Sequence, residues 1–145
     1  MKFTYDYPRP AVTVDAVLLR KAVSAPEILL IRRRFSPFAG LWALPGGFIN
    51  EDEDLLDAIH RELAEETGLS TDNLRQFRTY GHPKRDPRHH TITVVFIGWI
   101  EENQEPSAGD DASEVCWFSL NLLPELAFDH AEIISDVVEN EKIVL

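Results

Sequence analysis

The sequence predicts an α/β fold with a mixed β-sheet held between helices. Three observations carry that expectation. Residues 11–20, 28–34 and 91–100 are apolar runs of strand length, rich in β-branched side chains. Residues 53–67 and 131–139 carry apolar side chains at helical spacing. The two kinds of segment interleave without the strict strand–helix alternation of an all-parallel sheet.

Taken in order, residues 1–10 are polar and aromatic with two prolines, an irregular arm or an edge strand. Residues 11–20 are almost continuously apolar, which predicts a central strand. A turn at 21–26 leads to the second strand, 28–34, which passes from apolar to basic. The loop FSPFAGLWALPGG follows, and such a loop between strand and helix is a common ligand site. The helix of residues 53–67 has Asn50 and Glu53 at capping-box spacing and acids in its first turn, which suits the helix dipole. Leu56, Ile59 and Leu63 form its expected buried stripe, and Gly68 its left-handed end. Residues 74–80 are a strand, 81–90 a polar loop with two prolines, and 91–100 the strongest strand. An acidic loop at 101–113, a short strand at 115–118 and a connector at 124–130 lead to the closing helix, with Ile133, Ile134, Val137 and Val138 apolar.

A length of 145 residues fits one domain, residues 1–145. No apolar run approaches a bilayer crossing, residues 1–10 lack the apolar core of a signal peptide, and Cys116 is the sole cysteine. A cytoplasmic protein with no membrane partner and no internal disulfide is expected. The 25 acids against 14 bases give a net charge of −11. That field repels nucleic acid and free phosphates alike. No direct nucleic-acid partner is expected, and a phosphate ligand requires local reversal of the field. Bound divalent cations could supply it, as could Arg32, Arg33 and Arg34 or Lys84, Arg85 and Arg88.

The densest chemistry lies in GGFINEDEDLLDAIHRELAEETGL, residues 46–69. At 100° per residue, Glu62, Glu65 and Glu66 fall within about 100° of helix surface. Like charges so placed repel unless a cation sits among them. Hard oxygen ligands suit Mg²⁺ or Mn²⁺, which keep several waters and complete their shells from substrate phosphates. Arg61 can hold Glu53 or Glu65 in place, and Gly46–Gly47 lets backbone approach the site.

Gly47, Glu53, Arg61-Glu62-Leu63, Glu65-Glu66 and Gly68-Leu69, at their spacings here, resemble the Nudix box at every defining position. The preceding LWALPGGF and the order of strands also look like Nudix hydrolases. The resemblance implies a Nudix-type α/β/α sandwich and metal-assisted hydrolysis of a nucleoside diphosphate derivative. It implies Glu62 and Glu66 as the principal Mg²⁺ ligands, Glu65 as a further ligand or base, the Gly46 carbonyl as another ligand, and Arg61 and Glu53 as the groups that orient the carboxylates.

The substrate must be selected elsewhere. GHPKRDPR, residues 81–88, and LAFDH, residues 126–130, resemble ADP-ribose pyrophosphatases within the family. That likeness implies ADP-ribose cleaved to AMP and ribose 5-phosphate, and a homodimer. The guanidinium forks of Arg85 and Arg88 suit phosphate or ribose oxygens, with Asp86 able to pose either. Arg33 is a candidate phosphate or dimer contact; Phe35, Phe38 and Trp42 are candidate stacking residues. Glu114 and Asp111 stand where some members keep a further ligand or base. His89 and His90 are expected at the surface, Cys116 in packing, and His130 joining the last helix to the core.

Two other readings use the same features. One is a sensor of ADP-ribose-type ligands related to Nudix transcriptional regulators. The negative charge and the end of the chain at Leu145 speak against DNA binding, and the intact box speaks for an enzyme. The other keeps the pyrophosphatase and changes its substrate to NADH, a sugar nucleotide or an oxidised nucleoside triphosphate.

Overall fold

Strand β1 (Ala11–Arg20) is the axis around which the remaining strands are arranged. The computed structural model describes residues 2–101 and 104–145. On one edge β1 runs parallel to β6 (Thr91–Ile100), in register from Ala11 opposite Thr91 to Arg20 opposite Ile100. Its other edge is shared by two antiparallel strands. The far end, Leu19 and Arg20, pairs with β2 (Glu27–Arg33), and the near end, Thr13 to Asp15, with β4 (Gly46–Phe48). Strand β3 (Trp42–Ala43) and strand β7 (Ala112–Ser119) both pair with β2, and β5 (Arg75–Tyr80) borders β6. Among the described residues the sheet therefore has seven strands and one parallel pair, the mixed sheet expected from the sequence.

Alternation along β1 explains the layers, because successive side chains point to opposite faces. Val14, Ala16 and Leu18 pack with Ala58, Ile59 and Leu63 of helix α1 (Leu55–Thr67). Val17 and Leu19 pack with Ile133, Ile134 and Val137 of helix α2 (His130–Asn140). A helix covers each face, so β1 is buried on both sides and reads as an unbroken apolar run. The fork where β2 and β4 leave the same edge of β1 opens the sheet, and the site lies there.

Several local expectations need correction. Helix α1 starts at Leu55, with Asp54 as the N-cap accepting from the Leu55 N–H. The Glu53 carboxylate does accept the Asn50 N–H at 2.9 Å, but in the turn before the helix. Leu56 is 42% exposed, and the covered stripe is Ala58, Ile59, Glu62, Leu63, Glu66 and Thr67. Two of its members are charged, which a hydrophobic-stripe reading cannot anticipate. The loop after β2 contains β3 and β4, and β7 is longer than residues 115–118. Cys116 is exposed on β7, not packed. Residues 102 and 103 of the acidic loop lie outside the described residues. Gly68 does end α1 in the left-handed region, at φ 71°.

Candidate active site

At the fork lies a cavity of about 420 Å³, within the range of small-molecule sites. One wall is acidic. Helix α1 turns Glu62 and Glu66, one turn apart, against Gly46 and Gly47 of β4, and both carboxylates are buried. The Gly46 N–H donates to Glu66 Oε1 at 3.3 Å. Burial first, then contact with Glu62, pushes the Glu66 carboxyl up to about 9. Asp15 of β1 lines the same wall, 7% exposed, and its Oδ2 accepts the Thr93 hydroxyl at 2.5 Å.

Arg61 fixes this wall from the side. Its Nε and Nη2 donate to the two Glu53 oxygens at 2.7 and 2.9 Å, and Nη1 donates to Glu62 Oε1 at 2.9 Å. It also reaches Glu65 Oε2 at 3.2 Å and the Phe48 carbonyl at 3.1 Å. The guanidinium, and then the Asn50 N–H, hold the Glu53 carboxyl down to about 2. Glu53 in turn raises the Arg61 pKa above its ordinary value.

Basic side chains line the same cavity: Arg33 at the end of β2, and Arg85 and Arg88 from the loop before β6. Arg85 is buried and grips Asp129 with two bonds of 2.6 and 2.9 Å. Arg88 holds Asp86 with bonds of 2.7 and 3.0 Å, so Asp86 poses Arg88 and not Arg85. Arg33 donates from Nε to the Pro37 carbonyl at 2.7 Å. Burial, then the nearby Arg88, lowers its pKa.

The fold thus brings Gly46, Arg61, Glu62, Glu66, Arg33, Arg85, Arg88 and Asp111 to one cavity. Asp111 arrives by a specific route. The Gly109 N–H caps the Glu66 carbonyl at 3.1 Å, where any Cβ would overlap the Glu65 carbonyl, and this seats the loop before β7 on the end of α1. Glu53 acts from behind Arg61. Three candidates stand apart. Trp42 packs edge-on against Phe118 at 4.7 Å in the α2-side core. Glu114 is half exposed and pairs with Arg32 at 2.8 Å on the outside of the sheet. Glu65 is 60% exposed and bonded to Arg61. Of the aromatic candidates, Phe35 lines the cavity and Phe38 meets Phe128 edge-on at 4.9 Å.

Residues that sequence reasoning passed over include Asp15, Thr93, Phe48 and Phe128. Asp15 had a visible signal, a lone acid in an apolar central strand. His130 is buried and ties α2 to the core as expected, its Nδ1 accepting the Leu44 N–H at 3.0 Å. That bond leaves Nε2 to carry the proton of the neutral ring, 3.9 Å from Asp15 Oδ2. Burial lowers its pKa, consistent with the neutral form.

The donor set suits a hard divalent cation. Two buried carboxylates in contact, beside a third acid, are held together by one hydrogen bond from Arg61 and one from Gly46. A hard divalent cation would offset the repulsion within such a cluster. Gly47 keeps the approach open, since a Cβ there would stand 2.6 Å from Glu62 Oε1. Among the described residues, no three His, Cys, Asp or Glu side chains already converge as a metal cluster. Glu65 would have to leave Arg61 to add a third.

Residues 9–137 match the model of the NUDIX domain. An ADP-ribose pyrophosphatase of Methanocaldococcus jannaschii is 46% identical over 130 residues, 90% of this chain and 74% of that protein. The ADPR responsive transcriptional repressor of Acinetobacter baylyi is 36% identical over 133 residues. Those residues are 89% of this chain and 53% of the repressor, so this chain spans about half of its length. The NUDIX domain of Shewanella oneidensis NrtR, solved in complex with ADP ribose, superposes with a TM-score of 0.87 at 36% identity, covering 94% of each chain.

Proposed function

The chain belongs to the NUDIX family, and on that premise we propose that it hydrolyses ADP-ribose to AMP and ribose 5-phosphate in the cavity at the fork of the sheet. The observation that carries this reading is the meeting, in one cavity, of the buried carboxylates of Glu62 and Glu66 with the guanidiniums of Arg33 and Arg88. A diphosphate between two ribosyl groups suits that pairing: the guanidiniums can take its oxygens, and the carboxylates would hold a cation that offsets its remaining charge.

Glu62, Glu66 and Gly46, with Glu65 as a further candidate, would hold Mg²⁺ or Mn²⁺. When bound, such a cation neutralises the diphosphate and lowers the pKa of a water nucleophile. The chain's own groups do the rest. Arg61, clamped by Glu53, keeps Glu62 in one orientation, so the wall is preorganised and the reaction need not reorganise it. Arg33 and Arg88 bind the phosphoryl oxygens and stabilise the charge that grows on the leaving oxygen, while Arg85, held by Asp129, adds positive charge from behind them. Water adds to one phosphorus, the P–O anhydride bond breaks, and the two monophosphates leave. Asp111, which lines the cavity, would contact a ribose hydroxyl or an incoming water. Glu114 and Trp42, outside the cavity, receive no role in this mechanism.

A second reading, a sensor for ADP-ribose-type ligands, is favoured by the Shewanella domain, which matches this chain almost end to end. Incubation with Mg²⁺ and ADP-ribose, with chromatography of the products, separates the two. Turnover to AMP and ribose 5-phosphate supports the enzyme, and tight binding without turnover of any diphosphate supports the sensor. NADH, other sugar nucleotides and oxidised nucleoside triphosphates complete the panel. We further expect a homodimer in the cytoplasm; the exposed aromatic arm of Phe3, Tyr5 and Tyr7 offers apolar surface to a second copy, and sedimentation checks the assembly. Among the described residues no helix is long and apolar enough to cross a membrane.

A further inference from the structure

Phe128, in the segment just before α2, combines backbone strain with contact to both cations that face the cavity without full partners. Its φ of 52° is left-handed, a conformation that bulky L residues avoid unless something holds them there. The ring centroid is 5.0 Å from the guanidinium carbon of Arg33 and 5.6 Å from that of Arg88. Phe38, itself at φ 60°, buttresses the ring edge-on at 4.9 Å. Two touching aromatic residues in the left-handed region are held there by their surroundings.

The arginines explain what is being fixed. Arg33 bonds the Pro37 carbonyl through Nε, and among the described residues it has no carboxylate within ion-pair distance. Arg88 gives Nε and Nη2 to Asp86. That leaves Nη1 and Nη2 of Arg33 and Nη1 of Arg88 without a protein acceptor among the described residues, and both residues line the cavity. Two guanidiniums drawn together repel each other, and the effect is visible in the lowered Arg33 pKa, to which Arg88 contributes after burial. An aromatic face attracts both, through the negative charge of its π-system, without consuming an N–H donor.

We propose that Phe128 is a positioning residue: its ring gathers Arg33 and Arg88 into one two-pronged guanidinium site that receives the phosphoryl oxygens of a nucleoside diphosphate. A carboxylate in the same place would also gather them, but it would occupy the donors and repel the ligand. The ring leaves three guanidinium NH2 groups unused for the anion. This inference rests on the reading of the cavity as a diphosphate site and adds the residue that makes its two guanidiniums work as a unit.

The test is a double-mutant cycle in the full chain. Phe128→Leu keeps apolar bulk and removes the π-face; KM for ADP-ribose rises about fivefold to tenfold, the scale of cation–π attraction, while kcat falls less than KM rises. Affinity for ADP in the presence of Mg²⁺, measured by calorimetry, weakens by a similar factor. Phe128→Tyr restores both. In the Arg88→Gln background, Phe128→Leu costs less than it does in the wild type, because its contact with Arg88 is already gone and only that with Arg33 remains to be lost. Additive losses in the cycle, an unchanged KM in Phe128→Leu, or no rescue by tyrosine would overturn the proposal. Phe128→Met serves in place of the leucine variant should that one fail to fold. If the wild-type protein turns over no ADP-ribose, the proposed reaction fails while the ADP calorimetry still decides the role of Phe128.

Discussion

Asp129→Asn removes the charge that balances Arg85 while leaving one acceptor oxygen in place. The side chains of the pair are 4% and 17% exposed, so the guanidinium cannot turn to water once its partner is neutral. Breaking a buried pair from one side costs about 3–5 kcal/mol, most of it the penalty of the stranded charge. The asparagine carbonyl keeps one hydrogen bond, which puts the expected loss near about 3 kcal/mol, a large share of the 5–15 kcal/mol of a typical domain. For a chain of this size that is a fall in Tm of about 6–12 °C. Urea unfolding followed by circular dichroism gives the free energy directly. Glu114→Gln is the internal comparison: it breaks an ion pair of the same chemistry whose side chains are 46% and 54% exposed. Its loss should be about 0–1 kcal/mol, since water replaces the partner on either side. Equal losses for the two variants, or less than about 1 kcal/mol for Asp129→Asn, would refute the argument that burial sets the difference.

Other perturbations test the packing and the acidic wall. Glu53 has a folded pKa of about 2 against an ordinary 4.5, so its carboxylate stabilises the fold above the unfolded pKa and loses that contribution as pH falls through the folded one. The stability gap between wild type and Glu53→Gln is therefore full at neutral pH and closes between about pH 4.5 and about pH 2; a gap that widens on acidification in unfolding titrations would contradict this. Gly47→Ala places a Cβ 2.6 Å from Glu62 Oε1 and should cut turnover by about 10²-fold through displacement of that carboxylate, measured as initial rates under saturating substrate. Leu63→Ala empties a site 1% exposed between α1 and the sheet and should cost about 2–5 kcal/mol in denaturant unfolding.

The parts of the molecule that were legible in the sequence are those governed by local periodicity. Residues 11–20 and 91–100 announce buried strands because helices cover both faces of the sheet, and Gly68 announces the end of α1 because the chain there needs a left-handed residue. Arg61, Glu62 and Glu66 were readable because one helix presents them, so spacing alone fixes their geometry. Residues joined by tertiary contacts were not. Asp15 meets His130 across 115 positions of sequence, Arg85 finds Asp129 and not Asp86, and Gly109 seats Asp111 through a contact with α1. Leu56 was misread because the periodic stripe is completed by Glu62 and Glu66, which turn inward to the cavity. Trp42 and Glu114 were misplaced for a related reason: a strand alternates faces, and which face meets the site depends on β2, their shared neighbour.

In the proposed reaction the buried carboxylates of α1 serve phosphoanhydride hydrolysis. Product formation from ADP-ribose with Mg²⁺, compared between wild type and Glu66→Gln, tests it most directly. Wild type should yield AMP and ribose 5-phosphate, and the variant should work at least about 10²-fold more slowly, the scale of losing one strong electrostatic contribution. A near-normal rate from Glu66→Gln, with the fold intact, would contradict it.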